Sequence, residues 1–240
     1  MEASNQNGPD QPKAILFDLN GTLLDLTEVR RKVNRMLDSK KGFSFWMETF
    51  LHYTLVDSCT GQYHEFTAIA EAITSMAAKT FDVKIDRENL EEVFELMKHL
   101  PLNEGVEKGL SLLDDKGYRL AVLTNLPISI AKERMERTGL ISYFEKLFTA
   151  EQIKKYKPSV DTYQFAAQSL NVETGEALMV TAHGWDICGA SSAGMRTAFI
   201  EKNNQNLYPL APMPDFSVKT ILDLGKLLNT TSSFSNTVAL

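Results

Sequence analysis

The first stretch of the chain able to do chemistry is Phe17-Asp18-Leu19-Asn20-Gly21-Thr22-Leu23-Leu24-Asp25. An aspartate that closes an apolar run and opens a Gly-Thr turn is partly dehydrated yet within reach of turn amides, the setting of a carboxylate nucleophile. The same spacing suits an Asx turn with no chemistry, so the other polar clusters must decide between the two. Two of them have the same form. Leu120-Ala121-Val122-Leu123 runs into Thr124-Asn125, and Leu178-Met179-Val180-Thr181 runs into Ala182-His183-Gly184-Trp185-Asp186.

Such residues act together only if rigid elements bring them to one place. Ala14-Ile15-Leu16-Phe17 and the two runs above read as buried parallel strands with polar residues at their carboxyl ends. Thr197-Ala198-Phe199-Ile200 reads as another, and Leu147-Phe148-Thr149 as a weaker one. Helical periodicity fills the gaps over Gly105 to Lys116, Ile128 to Thr138, Val160 to Leu170 and Lys219 to Leu228. Strand and helix in alternation predict an α/β fold, a Rossmann-like parallel sheet covered on both faces. Ligands of such sheets bind at the carboxyl ends of the strands, so Asp18, Thr124-Asn125 and Asp186 are expected to converge on one crevice.

From about Leu26 to Leu100 the alternation stops, and Val29 to Leu37, Phe45 to Val56, Tyr63 to Lys79 and Arg87 to His99 all read as helices. The expected organisation is a core of residues 12–25 and 101–228, an inserted helical cap over 26–100, and flexible termini at 1–11 and 229–240. A chain of 240 residues, 43% hydrophobic and 23% charged, buries a sizeable core and has the length for one domain with a large insertion. Its formal charge of −6 argues against nucleic acid or an anionic membrane as partner, because both demand a basic face. Cys59 and Cys188 are too few for a disulfide framework or a zinc cluster. With no signal-peptide layout in the polar lead and no long apolar run, the sequence reads as cytoplasmic.

In order along the chain these clusters resemble the haloacid dehalogenase superfamily. Its first motif matches Asp18 to Thr22, its second Leu120 to Asn125, its third Lys157-Pro158 and its fourth Asp186. Within it the sequence is most similar to the L-2-haloacid dehalogenases, through Trp185-Asp186-Ile187-Cys188-Gly189-Ala190, through Tyr163 six residues after Lys157, and through Trp46 and Tyr53 in the helical segment. The resemblance implies that Asp18 displaces halide from a small-molecule 2-halocarboxylate and that water hydrolyses the resulting ester, with no metal and no organic cofactor. Lys157 would keep Asp18 ionised, as a neighbouring opposite charge does. Thr22 joins the catalytic set; Thr124 and the Asn125 amides would hold the substrate carboxylate; Asp186, with Thr181 and His183, would position or deprotonate the water; Tyr163 would orient Lys157. Leu19, Asn20, Trp46, Met47, Tyr53 and Trp185 would line the substrate site. A homodimer follows from the resemblance alone.

Three positions depart from the pattern. Asn20 stands where phosphatases of the superfamily carry the aspartate that protonates the leaving group, and an amide cannot do so; halide needs no proton. Met47 stands where the dehalogenases have an arginine for the halide, which leaves His52, Tyr53 and the Trp46 indole as replacement donors in the cap. His183 replaces an asparagine and is a candidate general base, since an imidazole, unlike an amide, can accept a proton. A small-molecule phosphatase and a catalytically weak carboxylate-binding protein are the alternatives these departures leave open.

Overall fold

The computed structural model describes residues 11–203 and 205–231. A six-stranded sheet forms its centre, in the order β3-β2-β1-β4-β5-β6 with every neighbouring pair parallel. The strands are β1 (Ala14–Phe17), β2 (Arg119–Thr124), β3 (Lys146–Thr149), β4 (Ala177–Thr181), β5 (Arg196–Ile200) and β6 (Phe216–Val218). All four residues of β1 and all five of β4 are buried, as strands covered on both faces require.

Side-chain alternation sorts the sheet into two cores. Ile15, Phe17, Leu120, Val122, Leu178 and Val180 pack against α5 (Val106–Asp115), α6 (Ile128–Arg137) and α9 (Ile221–Thr231). Ala14, Leu16, Ala121, Leu123 and Met179 pack against α7 (Val160–Ser169) and α8 (Gly184–Ser192). The α/β architecture expected from the alternation is the one observed. Helix α8 and strand β6 are additions to it.

Between β1 and α5 the chain forms α1 (Thr27–Met36), α2 (Gly42–Thr60), α3 (Phe66–Thr80) and α4 (Arg87–Lys98). Asp86 caps α4 by accepting from the Asn89 N–H at 2.7 Å, and Gly61 ends α2 in the left-handed region at φ 71°. Val29, Val33, Leu37, Phe43, Ala77 and Val93 join this helical layer to the core of α5, α6 and α9. A separate cluster of Phe50, Ile69, Ile73, Ala150 and Tyr156 makes a second junction. There Tyr63 stacks on Tyr156 at 5.3 Å, and the Tyr156 hydroxyl donates to the His64 carbonyl at 3.0 Å. Among the described residues no helix is long and apolar enough to cross a membrane.

The ends of the core differ from the expected limits. Gln11 is tied to the fold, its Nε2 donating to the Leu228 carbonyl at 3.4 Å, and α9 runs past Leu228 to Thr231 because nothing in Asn229-Thr230 breaks it. Of the termini expected to be flexible, 1–11 and 229–240, residues 1–10 and 232–240 lie outside the described residues.

Candidate active site

β1 is flanked by β2 and β4, so the residues that follow Phe17, Leu123 and Val180 emerge side by side at one edge of the sheet. The chain reverses direction of travel between β1 and β4, the position at which open α/β sheets bind ligands. Asp18 extends the ladder, its N–H donating to the Val180 carbonyl at 3.0 Å, and its side chain is held in the turn that follows. Thr22 Oγ1 donates to Asp18 Oδ2 at 2.9 Å and accepts from the Ala182 N–H at 3.0 Å, which fixes the direction of its proton. Gly21 makes the turn possible at φ 83°, and a Cβ there would meet the His183 ring at 3.1 Å. Asn103 clamps the same turn, donating to the carbonyls of Gly21 at 3.2 Å and Thr22 at 2.9 Å.

Lys157 joins the two carboxylates. Its Nζ lies 2.9 Å from Asp18 Oδ1 and 2.8 Å from Asp186 Oδ2, and the side chain is fully buried. Burial alone would push the ammonium down, but Asp18 and Asp186 outweigh it and hold Lys157 above the ordinary lysine value. Asp186 lies in the first turn of α8, wholly buried, where the helix dipole also favours a carboxylate. Its other oxygen accepts from the Tyr163 hydroxyl at 2.5 Å. Desolvation, reinforced by Asp186, raises the Tyr163 phenol well above the ordinary value, so it stays a donor. Tyr163 therefore orients Asp186 rather than Lys157 directly. Gly189 permits the arrangement, since a Cβ there would stand 2.6 Å from the Tyr163 oxygen.

Asn125 has a different place from the substrate-binding one expected of it. Its side chain grips the Lys157 backbone, donating from Nδ2 to the carbonyl at 3.0 Å and accepting at Oδ1 from the N–H at 2.7 Å. Thr124, at the end of β2, accepts from the Leu126 N–H at 3.3 Å. Thr181 accepts from the His183 N–H at 3.1 Å, and Leu19 is fully buried with its carbonyl closing the turn onto Leu23 and Leu24.

His183 faces Asp18 more than Asp186. Its Nε2 lies 2.9 Å from the Asn20 carbonyl and 3.5 Å from Asp18 Oδ2, and both of those atoms accept. Nε2 therefore carries the proton and gives it to the Asn20 carbonyl, which places that nitrogen on the Asp18 side rather than beside Asp186. The ring stacks on Trp185 at 5.3 Å, and Trp185 in turn lies 5.7 Å from Lys157 Nζ.

The helical layer contributes less than expected. The Trp46 indole N–H donates to Thr74 Oγ1 at 3.0 Å, so it is spent within the layer, and the ring stacks on Phe50. Tyr53 is 38% exposed and packs edge-on against His52, outside the Asp18–Lys157–Asp186 network. Met47 is half-buried against the core. Two functional candidates escaped the sequence. Asn103 gave no signal. Arg134 gave one: it lies on the face of α6 that carries Ala131 and Met135, at the spacing of buried positions, and is itself 4% exposed. Its Nη1 donates to Asn20 Oδ1 at 2.8 Å.

The chain is similar to known proteins over most of its length. A family model described as a haloacid dehalogenase-like hydrolase matches residues 12–194. The chain is 28% identical over 223 residues to (S)-2-haloacid dehalogenase 4A of Burkholderia cepacia, covering 91% of this chain and 96% of that one. It is also 28% identical over 237 residues to N-acylneuraminate-9-phosphatase of Rattus norvegicus, covering 92% and 95%. The solved L-2-haloacid dehalogenase of Xanthobacter autotrophicus superposes with a TM-score of 0.80 at 21% identity, covering 92% of this chain and 99% of that one, which shows the fold.

Proposed function

Since the chain belongs to the haloacid dehalogenase-like hydrolases, we propose that it hydrolyses short L-2-haloalkanoic acids to 2-hydroxy acids through an ester on Asp18. The observation that carries this reading is Asn20. Its side chain is an amide held by Arg134, so the residue two beyond the nucleophile cannot protonate a departing oxygen, and a leaving group that departs as a stable anion suits the site.

In the first step an Asp18 oxygen forms a bond to the halogen-bearing carbon as the carbon–halogen bond breaks and halide leaves with the electron pair. Lys157 pairs with Asp18 Oδ1, and Thr22 fixes the orientation of Oδ2. Esterification removes the Asp18 charge and leaves Asp186 as the carboxylate of the pair. Water then attacks the ester carbonyl as Asp186 takes one of its protons, the ester C–O bond breaks, and the leaving alkoxide takes that proton from Asp186. The second water proton is lost to solvent, so that Asp18 is restored as a carboxylate and the hydroxy acid leaves with one of the former Asp18 oxygens. The helices over residues 27–98 serve as a cap that limits water in the crevice.

Asp18 and Asp186 converge on the Lys157 ammonium, and their other oxygens accept from Thr22 and Tyr163, so both carboxylates have a cationic partner within the chain. A phosphatase is the second reading, favoured by the phosphatase relative matched at the same identity as the dehalogenase. A halide-release assay on L-2-chloropropionate and bromoacetate, run beside a magnesium-supplemented phosphate-release screen, separates the two. Halide release that Asp18→Asn abolishes supports the proposal, and phosphate release without halide release refutes it.

A further inference from the structure

Among the described residues, Arg134 is a buried cation with no carboxylate in ion-pair contact. Along α6 its side chain leans toward the helix N-terminus, which lies at the carboxyl end of β2 and so on the crevice side of the sheet. It ends on Asn20, two residues beyond Asp18, and its Nη1 bond to the Asn20 amide is its only hydrogen bond among the described residues. Its Nε is buried with no hydrogen-bond partner among the described residues. The nearest acid along the helix, Glu133, is engaged by Arg137 at 3.2 Å. A guanidinium offers five donors, and leaving a buried one against a neutral amide is costly unless something else completes it. Desolvation already lowers Arg134 to about 10.

The need for a cation is equally plain. Asp18 and Asp186 outnumber Lys157, so the reacting cluster is negative overall and repels any anion brought to it. Neither Trp46, with its N–H spent on Thr74, nor Met47 supplies a compensating charge from the helical layer.

We propose that Arg134 and the Asn20 amide form an anion-binding corner beside Asp18, which takes a small monovalent anion: the departing halide or the carboxylate of the substrate. That the anion belongs to the substrate rests on the dehalogenase reading; that an anion binds there does not. Asn20 is the residue that keeps the corner open, because an aspartate in its place would itself neutralise Arg134.

Calorimetric titration of bromide, and separately of acetate, into the unreacted protein tests this in wild type, Arg134→Met, Arg134→Lys and Asn20→Asp. Loss of a charge-assisted contact predicts affinity roughly 10- to 100-fold weaker in Arg134→Met, with partial recovery in Arg134→Lys. Asn20→Asp should weaken binding as strongly while leaving Tm unchanged or higher. Binding of bromide alone places the leaving halide in the corner, and binding of acetate alone places the substrate carboxylate there. Wild type that binds neither anion, or a folded Arg134→Met protein that binds as tightly as wild type, overturns the proposal. Should Arg134→Met fail to fold, unchanged affinity in Asn20→Asp overturns it instead. No turnover is involved: Arg134-dependent binding without dehalogenation would sink the function and leave the corner standing, and halide release without such binding would do the reverse.

Discussion

The amide of Asn125 closes on the backbone of Lys157 from both sides, giving one hydrogen bond to its carbonyl and taking one from its N–H. This pair couples the end of β2 to the loop that carries the ammonium, so the position of Lys157 is set by its backbone as well as by the two carboxylates it bridges. Asn125→Ala should cost about 1–3 kcal/mol, since it leaves partly buried partners unmet, and should reduce kcat more than it raises KM. Chemical denaturation and steady-state rates measure both, and a variant as stable and as fast as wild type would contradict the coupling.

Removing the ammonium is far more damaging than removing its support. In Lys157→Met, Asp186 and Asp18 face one another almost wholly buried with no cation, a loss expected to reach about 3–5 kcal/mol. Urea denaturation should show it, together with loss of activity. A midpoint close to that of wild type would mean the cluster is not held as described.

The phenol of Tyr163 is a smaller test of the same cluster. Tyr163→Phe removes the donor 2.5 Å from Asp186 and leaves that oxygen buried, a change expected to lower stability by about 1–3 kcal/mol with the fold intact. Because the phenol reaches the reaction only through Asp186, activity should fall but persist. Complete inactivity in a folded variant would mean that Tyr163 itself touches substrate.

Alkaline pH separates the two buried cations. Burial would lower Lys157, Asp18 and Asp186 outweigh it, and its folded value lies above the ordinary 10.5. A raised lysine contributes stability fully below its unfolded value and loses that contribution as pH climbs through the folded one. Arg134 has the opposite sign: desolvation brings it from 12.5 to about 10, so its charge costs stability at neutral pH and the cost fades above that value. Denaturation midpoints should hold from neutrality to near 10.5 and fall beyond it. Arg134→Met, lacking the opposing contribution, should fall more steeply. An Arg134→Met profile that stays flat past that point would contradict the Lys157 assignment.

Much of this architecture is legible in the residues themselves, because a buried strand such as Ala14 to Phe17 can bury both faces only in a sheet layered by helices. Helix α8 is hidden because Gly184 and Gly189 depress helix propensity and make Gly184-Trp185-Asp186 read as a loop; packing against β4, β5 and Tyr163 supplies what propensity lacks. Strand β6 is three residues long, at an edge, and less buried than the central strands, so it has no apolar run to announce it. At the site, Asp18 and Asp186 stand out at strand ends, but hydrogen-bond partners do not. Nothing in the types of Trp46 and Thr74 says that the indole N–H is spent there, and although Arg134 shares the spacing of Ala131 and Met135, that spacing does not name Asn20 as its partner.

The central claim, that Asp18 is the nucleophile, is tested most directly by a single turnover with enzyme in excess over L-2-chloropropionate in heavy-oxygen water, followed by mass analysis of the peptide containing Asp18. The ester route predicts that the heavy oxygen enters the Asp18 carboxylate while the lactate formed carries ordinary oxygen. Heavy oxygen found only in the product, with Asp18 unlabelled, would show that water attacks the substrate carbon directly and would contradict the account.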